Sequence, residues 1–373
     1  MPLQFIGMIR TDNVSEIDGV AASQIERSLD PKFVADFARV HEEGGFERIL
    51  IGYHTTSPDG WAVAAHAAAN TETLHVLLAH RPGFVAPPVT ARAAVTHDHL
   101  TNGRFSFNIV TGGSDADQAR DGDWSTKDDR YRRTDEYLTI LNKVWTSDKP
   151  FDFEGEFYKL AGTFSELKPV QQPHIPIYFG GASAAAVPVG AKHADVYMLW
   201  GEPLANVAER IADVRAAAPE GRSPEFSVSL RPIIAPTTEK AWAKAHDYLE
   251  RIVGHRDGQR AVDQSIAPAT GSKRLLEQAA QQEIYDERLW MPIAAATGAG
   301  GNTTALVGTP EEVAESILRY YDLGVNSILI RGFRPYEDVI DYGRELIPLV
   351  QAEVARRDAD PAKRVAASAL AAD

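Results

Sequence analysis

The chain of 373 residues contains no cysteine. That excludes disulfides, thiolate metal sites and cysteine nucleophiles, and it fits a reducing compartment. Long apolar runs are missing too, since no stretch approaches the roughly 20 residues that a membrane helix needs. Met1 to Arg10 has no basic start before its short apolar run, so no secretory signal is expected. Positive charge is in deficit. With 38 Lys and Arg against 52 Asp and Glu, the net charge is −14, which argues against nucleic acid or an anionic membrane as partner. There is no Gly-x-Ser-x-Gly elbow and no phosphate-binding lysine loop. His97-Asp98-His99 lies on one predicted helix, where its histidines point in different directions, so no metal site is expected. These absences together lead us to expect a soluble cytoplasmic protein.

What is present is ordinary globular composition, 44% hydrophobic and 24% charged, enough for one large core. Short apolar runs of strand type recur at Phe5–Ile9, Arg48–Ile51, Leu74–Ala79, Phe105–Val110, Ile175–Phe179, Val196–Trp200, Phe226–Ile234 and Ser327–Ile330. Amphipathic helical stretches separate most of them. Alternating strands and helices imply a parallel sheet, and eight such units imply a closed α/β TIM (β/α)8 barrel. Thr309-Pro-Glu-Glu312 reads as a capping box with a first-turn proline, and Gly324 stops that helix before the eighth strand. One barrel domain is expected over residues 1–355, followed by an alanine- and charge-rich tail at 356–373. Two connections exceed simple loops: 111–129 after strand four and 255–304 after strand seven. The second, with a helical segment around Leu275–Glu283, suits either a mobile lid or an oligomer contact.

Active sites of such barrels stand at the carboxyl ends of the strands. Tyr53 and His54 follow strand two there, and His80 and Arg81 follow strand three. Thr111-Gly112-Gly113 ends strand four, and Trp200 ends strand six. Tyr178-Phe-Gly-Gly-Ala-Ser183 then opens an alanine-rich helix. Its Gly181, Ala182 and Ser183 suit a phosphate, because glycine lets backbone approach closely and a helix start offers free N–H groups. A plain strand-to-helix turn capped by Ser183 is the alternative. Tyr131, at the start of the helix after strand four, could reach the same phosphate or be a half-buried surface residue. Arg231 interrupts an apolar strand, and Arg331 ends strand eight. Each needs an anion, either a protein carboxylate or a sulfonate or phosphate held between them. His80 and His54 could donate to a cofactor or serve structure, and Trp200 could stack on a ring or close the barrel top.

Taken together, these segments resemble the bacterial luciferase-like flavin monooxygenases, and within them the alkanesulfonate branch. The matching runs are Ala79-His-Arg-Pro-Gly83, Leu100-Thr-Asn-Gly-Arg104, Asn108-Ile-Val-Thr-Gly-Gly113 and Arg130-Tyr131. They continue with Pro169 to Pro176, Tyr178 to Ser183, Leu199-Trp-Gly-Glu-Pro203 and Thr304-Ala-Leu-Val-Gly308, in collinear order over nearly the whole chain. The resemblance implies a two-component enzyme. It would take reduced FMN from a separate NAD(P)H-dependent flavin reductase and use O2 to cleave a C–S bond, giving an aldehyde and sulfite. It also implies a homo-oligomer, dimer or tetramer. By position, Gly181, Ala182, Ser183 and Tyr131 match the phosphate-binding part, Thr111 a residue near the flavin ring, and Trp200 and Arg231 the sulfonate pocket.

The sequence departs from that branch at four places. Ser57 stands for its cysteine after strand two, and Ile233 for its histidine beyond the strand-seven arginine. The lid at Ala295–Gly301 lacks its arginine, and Phe333 replaces its tyrosine after strand eight. The flavin set is kept more fully than the substrate set. Arg331 and Arg10 could restore the lost charge, and His80 or His54 the lost acid/base group. The alternatives are a luciferase-like enzyme with a non-sulfonate substrate, an F420-dependent oxidoreductase, or a flavin-binding protein without turnover.

Overall fold

The computed structural model describes residues 3–15, 17, 28–259, 269–300 and 304–359. Eight strands close on themselves: Gln4–Met8, Arg48–Ile51, His75–His80, Phe105–Ile109, Ile177–Gly180, Val196–Trp200, Glu225–Ile234 and Ser327–Ile330. Each pairs in parallel with the next, and the eighth returns to the first through Ser327↔Gln4 and Leu329↔Ile6. The result is the TIM barrel that the eight apolar runs imply. Helices cover the outside and are terminated as their sequences dictate. Asp30 caps Pro31–Glu43 through the amides of Lys32 and Phe33, and Gly45 turns the chain away at φ 79°. Thr309 and Glu312 form a reciprocal capping box on Pro310–Asp322, and Gly324 follows at φ 96°.

Alternation along the strands sorts the side chains into two sets. Outward-facing Phe5, Val76, Leu78, Phe105, Phe107, Phe179, Val228, Leu230 and Ile328 pack under the helices in the main core. Burial of each such side chain is worth roughly 1.5–3 kcal/mol. Inward-facing Ile6, Leu77, Tyr178, Val196 and Leu329 form a separate cluster inside the barrel.

Strand seven belongs to two sheets. Glu225 to Leu230 lies in the barrel, between strands six and eight. Beyond it, Arg231 to Ile234 pairs with Ala305–Gly308, which continues antiparallel into Leu289–Trp290 and then Ile284–Tyr285. This small sheet packs on the helix Thr238–Gln259 around Ile233, Ala241, Ala245, Tyr248, Trp290 and Phe333. A surface hairpin, Phe151–Glu154 with Lys159–Thr163, is a further addition. The last helix, Ile347–Asp358, runs past the tail boundary expected at 356, because Arg357 pairs with Asp322, Glu353 and Glu315. No helix of the described residues is long and apolar enough to cross a membrane.

Candidate active site

Towards the carboxyl ends of the strands, the inward set continues with Met8, Leu50, Val110, Met198, Trp200, Ser229 and Arg331. All seven are half-buried, while their outward neighbours Ile9, Ile51, Ile109, Leu199, Leu230 and Ile330 are buried. An inner face more accessible than the outer face means an open well at this end of the barrel. Its wall is mostly apolar, as pockets for ring systems are. Asn108 also faces inward, and its Oδ1 has no partner among the described residues.

The loop after strand five forms one side of the mouth. Strand five ends at Gly180, and the next helix is Ala186–His193. Among the described residues, the backbone amides of Ala182, Ser183 and Ala184 make no hydrogen bond. The loop is held from outside: the Tyr197 hydroxyl donates to the Gly181 carbonyl at 2.6 Å, and the Ala186 amide donates to the Ser183 carbonyl at 2.9 Å. A Cβ at Gly181 would stand 2.6 Å from Ala186 Cβ and 3.3 Å from the Tyr131 hydroxyl, so only glycine keeps this cradle. Tyr131 is buried on the helix Lys127–Thr146 and hydrogen-bonds Ser183, with burial raising its pKa. Residues far apart in sequence thus meet at one set of free amides. Thr111 is buried, its Oγ1 3.4 Å from Thr134 Oγ1 on the helix that carries Tyr131. Arg130 is buried as well and reaches Asp115 at 2.6 Å and the Ser125 carbonyl at 2.5 Å.

A second polar cluster stands at the ends of strands two and three. His54 Nε2 lies 3.4 Å from Asp117, and its Nδ1 lies 2.9 Å from Thr56 Oγ1. Burial lowers the His54 pKa, and Asp117 opposes that shift. Asp117 is in turn bound by Arg81 and accepts from Thr55 at 2.8 Å. Arg81 lies over the Tyr53 ring at 4.4 Å, and Tyr53 donates to Asp121 at 3.1 Å. Sequence reasoning misses Asp117 as a partner because it is remote from His54 in the chain, on the short helix Asp115–Arg120 inside what reads as a loop. An inward alternation of strand four is the only sequence signal that could have marked Asn108.

His80 does not belong to the mouth. It shares the outward parity of Val76 and Leu78, and its Nε2 pairs with the Tyr137 hydroxyl at 2.8 Å among Trp61, Phe107 and Tyr137. Burial lowers its pKa to about 4, so it is a neutral core histidine. Arg231 lies at the point where strand seven leaves the barrel and is fully buried. Its Nη2 donates to the Gly332 carbonyl at 2.7 Å and its guanidinium lies 3.7 Å over the Phe333 ring, with Ile233 in the same small-sheet core. Arg331 is half-buried at the well and approaches Met8 Sδ at 3.5 Å. Arg10 is paired with Asp12 at 3.1 Å, and the Ser57 amide donates to the His54 carbonyl at 2.9 Å.

The insertion after strand seven reaches across the mouth. Its helix, Thr270–Gln281, begins earlier than the segment expected there. A Cβ at Gly271 would stand 3.1 Å from the Trp200 ring, and a Cβ at Gly113 would stand 3.1 Å from Ala269. Lys127 Nζ donates to Thr270 Oγ1 at 3.1 Å. The helix is bolted at Glu202, which is buried and takes two bonds from Arg274, at 2.9 and 2.6 Å, and one from Gln278 at 2.9 Å. Residues 260–268 and 301–303 of the expected lid lie outside the described residues; of the lid stretch Ala295–Gly301, all but its last residue is described. No group of three or more potential metal ligands occurs among the described residues.

Among solved structures, the fold is similar to riboflavin lyase RcaE with modified FMN and riboflavin, at TM-score 0.74 and 19% identity, covering 95% of this chain and 92% of that one. DmoA from Hyphomicrobium sulfonivorans superposes at TM-score 0.74 and 21% identity, covering 94% and 88%. The long-chain alkane monooxygenase LadA gives 0.73 and 18%, covering 96% and 92%. At these identities the likeness speaks for the fold. The sequence itself matches the profile of the luciferase-like monooxygenases over residues 13–327. With that match covering most of its length, the chain belongs to the luciferase-like monooxygenase family.

Proposed function

We propose that this protein is an FMN-dependent two-component monooxygenase, fed with reduced flavin by a separate NAD(P)H-dependent reductase. The observation that carries the reading is the cradle after strand five: free amides at Ala182 and Ser183, a glycine that cannot be replaced, and the Tyr131 hydroxyl bonded to Ser183. Free N–H groups at a strand-to-helix turn bind a phosphate without needing a lysine. The apolar well beside it suits an isoalloxazine ring and keeps water from it, with Thr111 and Asn108 as polar neighbours. Reduced FMN, when bound there, supplies the electrons that activate O2.

The substrate we propose is a sulfonate or related organosulfur compound. The C–S bond breaks to an aldehyde and sulfite; one oxygen atom of O2 enters the aldehyde and the other leaves as water. Arg331, at the well, is the cation placed to meet the sulfonate; Arg231 acts behind it by fixing the Gly332 carbonyl and Phe333. His54 is the acid/base group, kept neutral by burial and oriented by Asp117. Trp200 packs against the substrate from beneath Gly271. A homo-oligomer, dimer or tetramer, belongs to the same proposal.

Titration with reduced FMN and with reduced F420 tests the cofactor. FMN should bind, and Ser183→Ala and Tyr131→Phe should each weaken it about tenfold, as the loss of a charge-assisted hydrogen bond does. F420 binding alone, or unchanged FMN affinity in both variants, would overturn the reading. Sulfite release from a sulfonate panel with a reductase present tests the substrate. Silence across the panel, with oxygen uptake above flavin autoxidation on another organic compound, would replace the sulfonate and leave the cofactor standing.

A further inference from the structure

The opposite end of the barrel holds a second site. Its floor is a cavity of about 340 Å³ lined by Gln4, Arg48, Tyr178, Asp195, Arg222 and Glu225, with Pro176, Ala194, Val196 and Ser223 completing the wall. Most of these residues open strands one, two, five, six and seven or closely precede them, so the cavity lies at the amino ends, away from the flavin well. That end of a TIM barrel is ordinarily a packed, stabilising face.

Arg48 is the anomaly. It is only 7% exposed, points into the barrel, and makes no ion pair among the described residues. Its Nη1 donates to Ser106 Oγ at 2.7 Å, and its guanidinium lies 5.2 Å from the Tyr178 ring centre and bonds the Tyr178 hydroxyl, while its Nε has no partner. A buried guanidinium met only by neutral hydroxyls is costly unless an anion reaches it. Arg222 stands on the same wall, its Nη2 on the Ala194 carbonyl at 2.6 Å and 3.7 Å from Asp195, its Nε again without a partner. One carboxylate is already engaged, since Asp195 pairs with Arg222 through one oxygen and takes the Ile177 amide at 2.9 Å on the other. The Glu225 carboxylate makes no hydrogen bond or ion pair among the described residues, and neither carboxylate pairs with Arg48.

Arg48, which no carboxylate meets, calls for an oxyanion that Arg222 on the same wall can share, while Glu225 repels any oxyanion that can only accept hydrogen bonds. An oxyanion that carries its own O–H satisfies both, since it accepts from the arginines and donates to the carboxylate. We propose that the barrel floor is a binding site for a protonated oxyanion of the hydrogen-phosphate type, held by Arg48 and Arg222 and selected by Glu225. A free phosphate ion and a small phosphate monoester share this chemistry, and the cavity has room for either.

The test is calorimetric titration of the full-length protein with inorganic phosphate, glycerol phosphate and sulfate, without flavin and again saturated with FMN. Phosphate should bind in both states and sulfate at least tenfold more weakly; glycerol phosphate binding as well as phosphate marks a monoester site, and its exclusion marks a free-ion site. Arg48→Met should lose phosphate binding. Arg222→Gln, at a partly exposed position with little risk to folding, should weaken it three- to tenfold, and Glu225→Gln should bring sulfate up towards phosphate. Ser183→Ala should leave the floor site untouched, which separates it from the flavin cradle whether or not that cradle binds FMN. No phosphate heat, equal affinity for sulfate in the unmodified protein, competition by FMN, or binding that survives both arginine variants would overturn the proposal.

Discussion

At the residue scale, two buried histidines set an acid limit on stability. His41 and His80 are held neutral by burial, each with its pKa lowered to about 4 against an ordinary 6.5. The folded state therefore refuses a proton that the unfolded state accepts between those values. The contribution is fully present above pH 6.5 and is lost as pH falls towards 4, by about 1.4 kcal/mol per pH unit for each histidine. Urea unfolding across that range should show this slope, and His80→Gln should reduce it by one proton while costing some stability at pH 7 through the lost Tyr137 bond. Burial lowers the His54 pKa as well, but there Asp117 works against the shift by supporting the charged form. Asp117→Asn should lower kcat and shift the acid limb of its pH profile downwards, with little change in FMN affinity. Much of this chemistry is readable from residue types. The glycine turn and the family resemblance mark Gly181, Ser183 and Tyr131, and the structure brings the three together. His80 falls outside the site because standing at a strand end does not make a side chain point inward; its parity points it outward. The pairing of His54 with Asp117 leaves no local trace in the sequence, since it joins two distant loops.

At the scale of elements, all eight barrel strands are legible, since continuous apolar runs separated by helical periods suit a parallel sheet covered by helices and little else. The additions are not: Ile284–Tyr285 and Leu289–Trp290 are two residues each, too short to leave a period, and the hairpin strands Phe151–Glu154 and Lys159–Thr163 carry no fully buried residue. The insertion helix shows in the sequence, but its anchorage does not, because Glu202 reads as part of a turn. That anchorage makes a definite expectation. Arg274→Met would leave a buried carboxylate with Gln278 alone as donor, at a cost of about 2–4 kcal/mol. Hydrogen exchange should then quicken across Thr270–Gln281 while the barrel strands keep their protection, and the apparent KM for substrate should rise more than kcat falls. Equal exchange in both forms of the protein would mean that packing on Trp200, and not the ion pair, holds the helix.

Across the whole molecule, one wall of strands serves two ends with different chemistry. The upper interior is an apolar well, and the lower interior is polar, with Arg48, His75, Ser106, Ser227 and Ser327 where aliphatic side chains would give a drier core. Because the well is built from the ends of the barrel strands, a ligand that fills it favours the closed barrel as a unit. FMN at about 100 times its dissociation constant should raise unfolding free energy by about 2.7 kcal/mol, visible as a concentration-dependent rise in melting temperature. A melting curve indifferent to FMN would speak against the well as its site.

Strand seven carries a last consequence. Its ten residues run without a break from the barrel into the small outer sheet. Deleting a single residue before Leu230 would reverse the parity of everything on one side of the cut, turning Ser227 and Ser229 towards the helices or burying Val228 in the well. The outer sheet and the catalytic end are thus geared together. A change of length inside that strand keeps both ends in place only in steps of two.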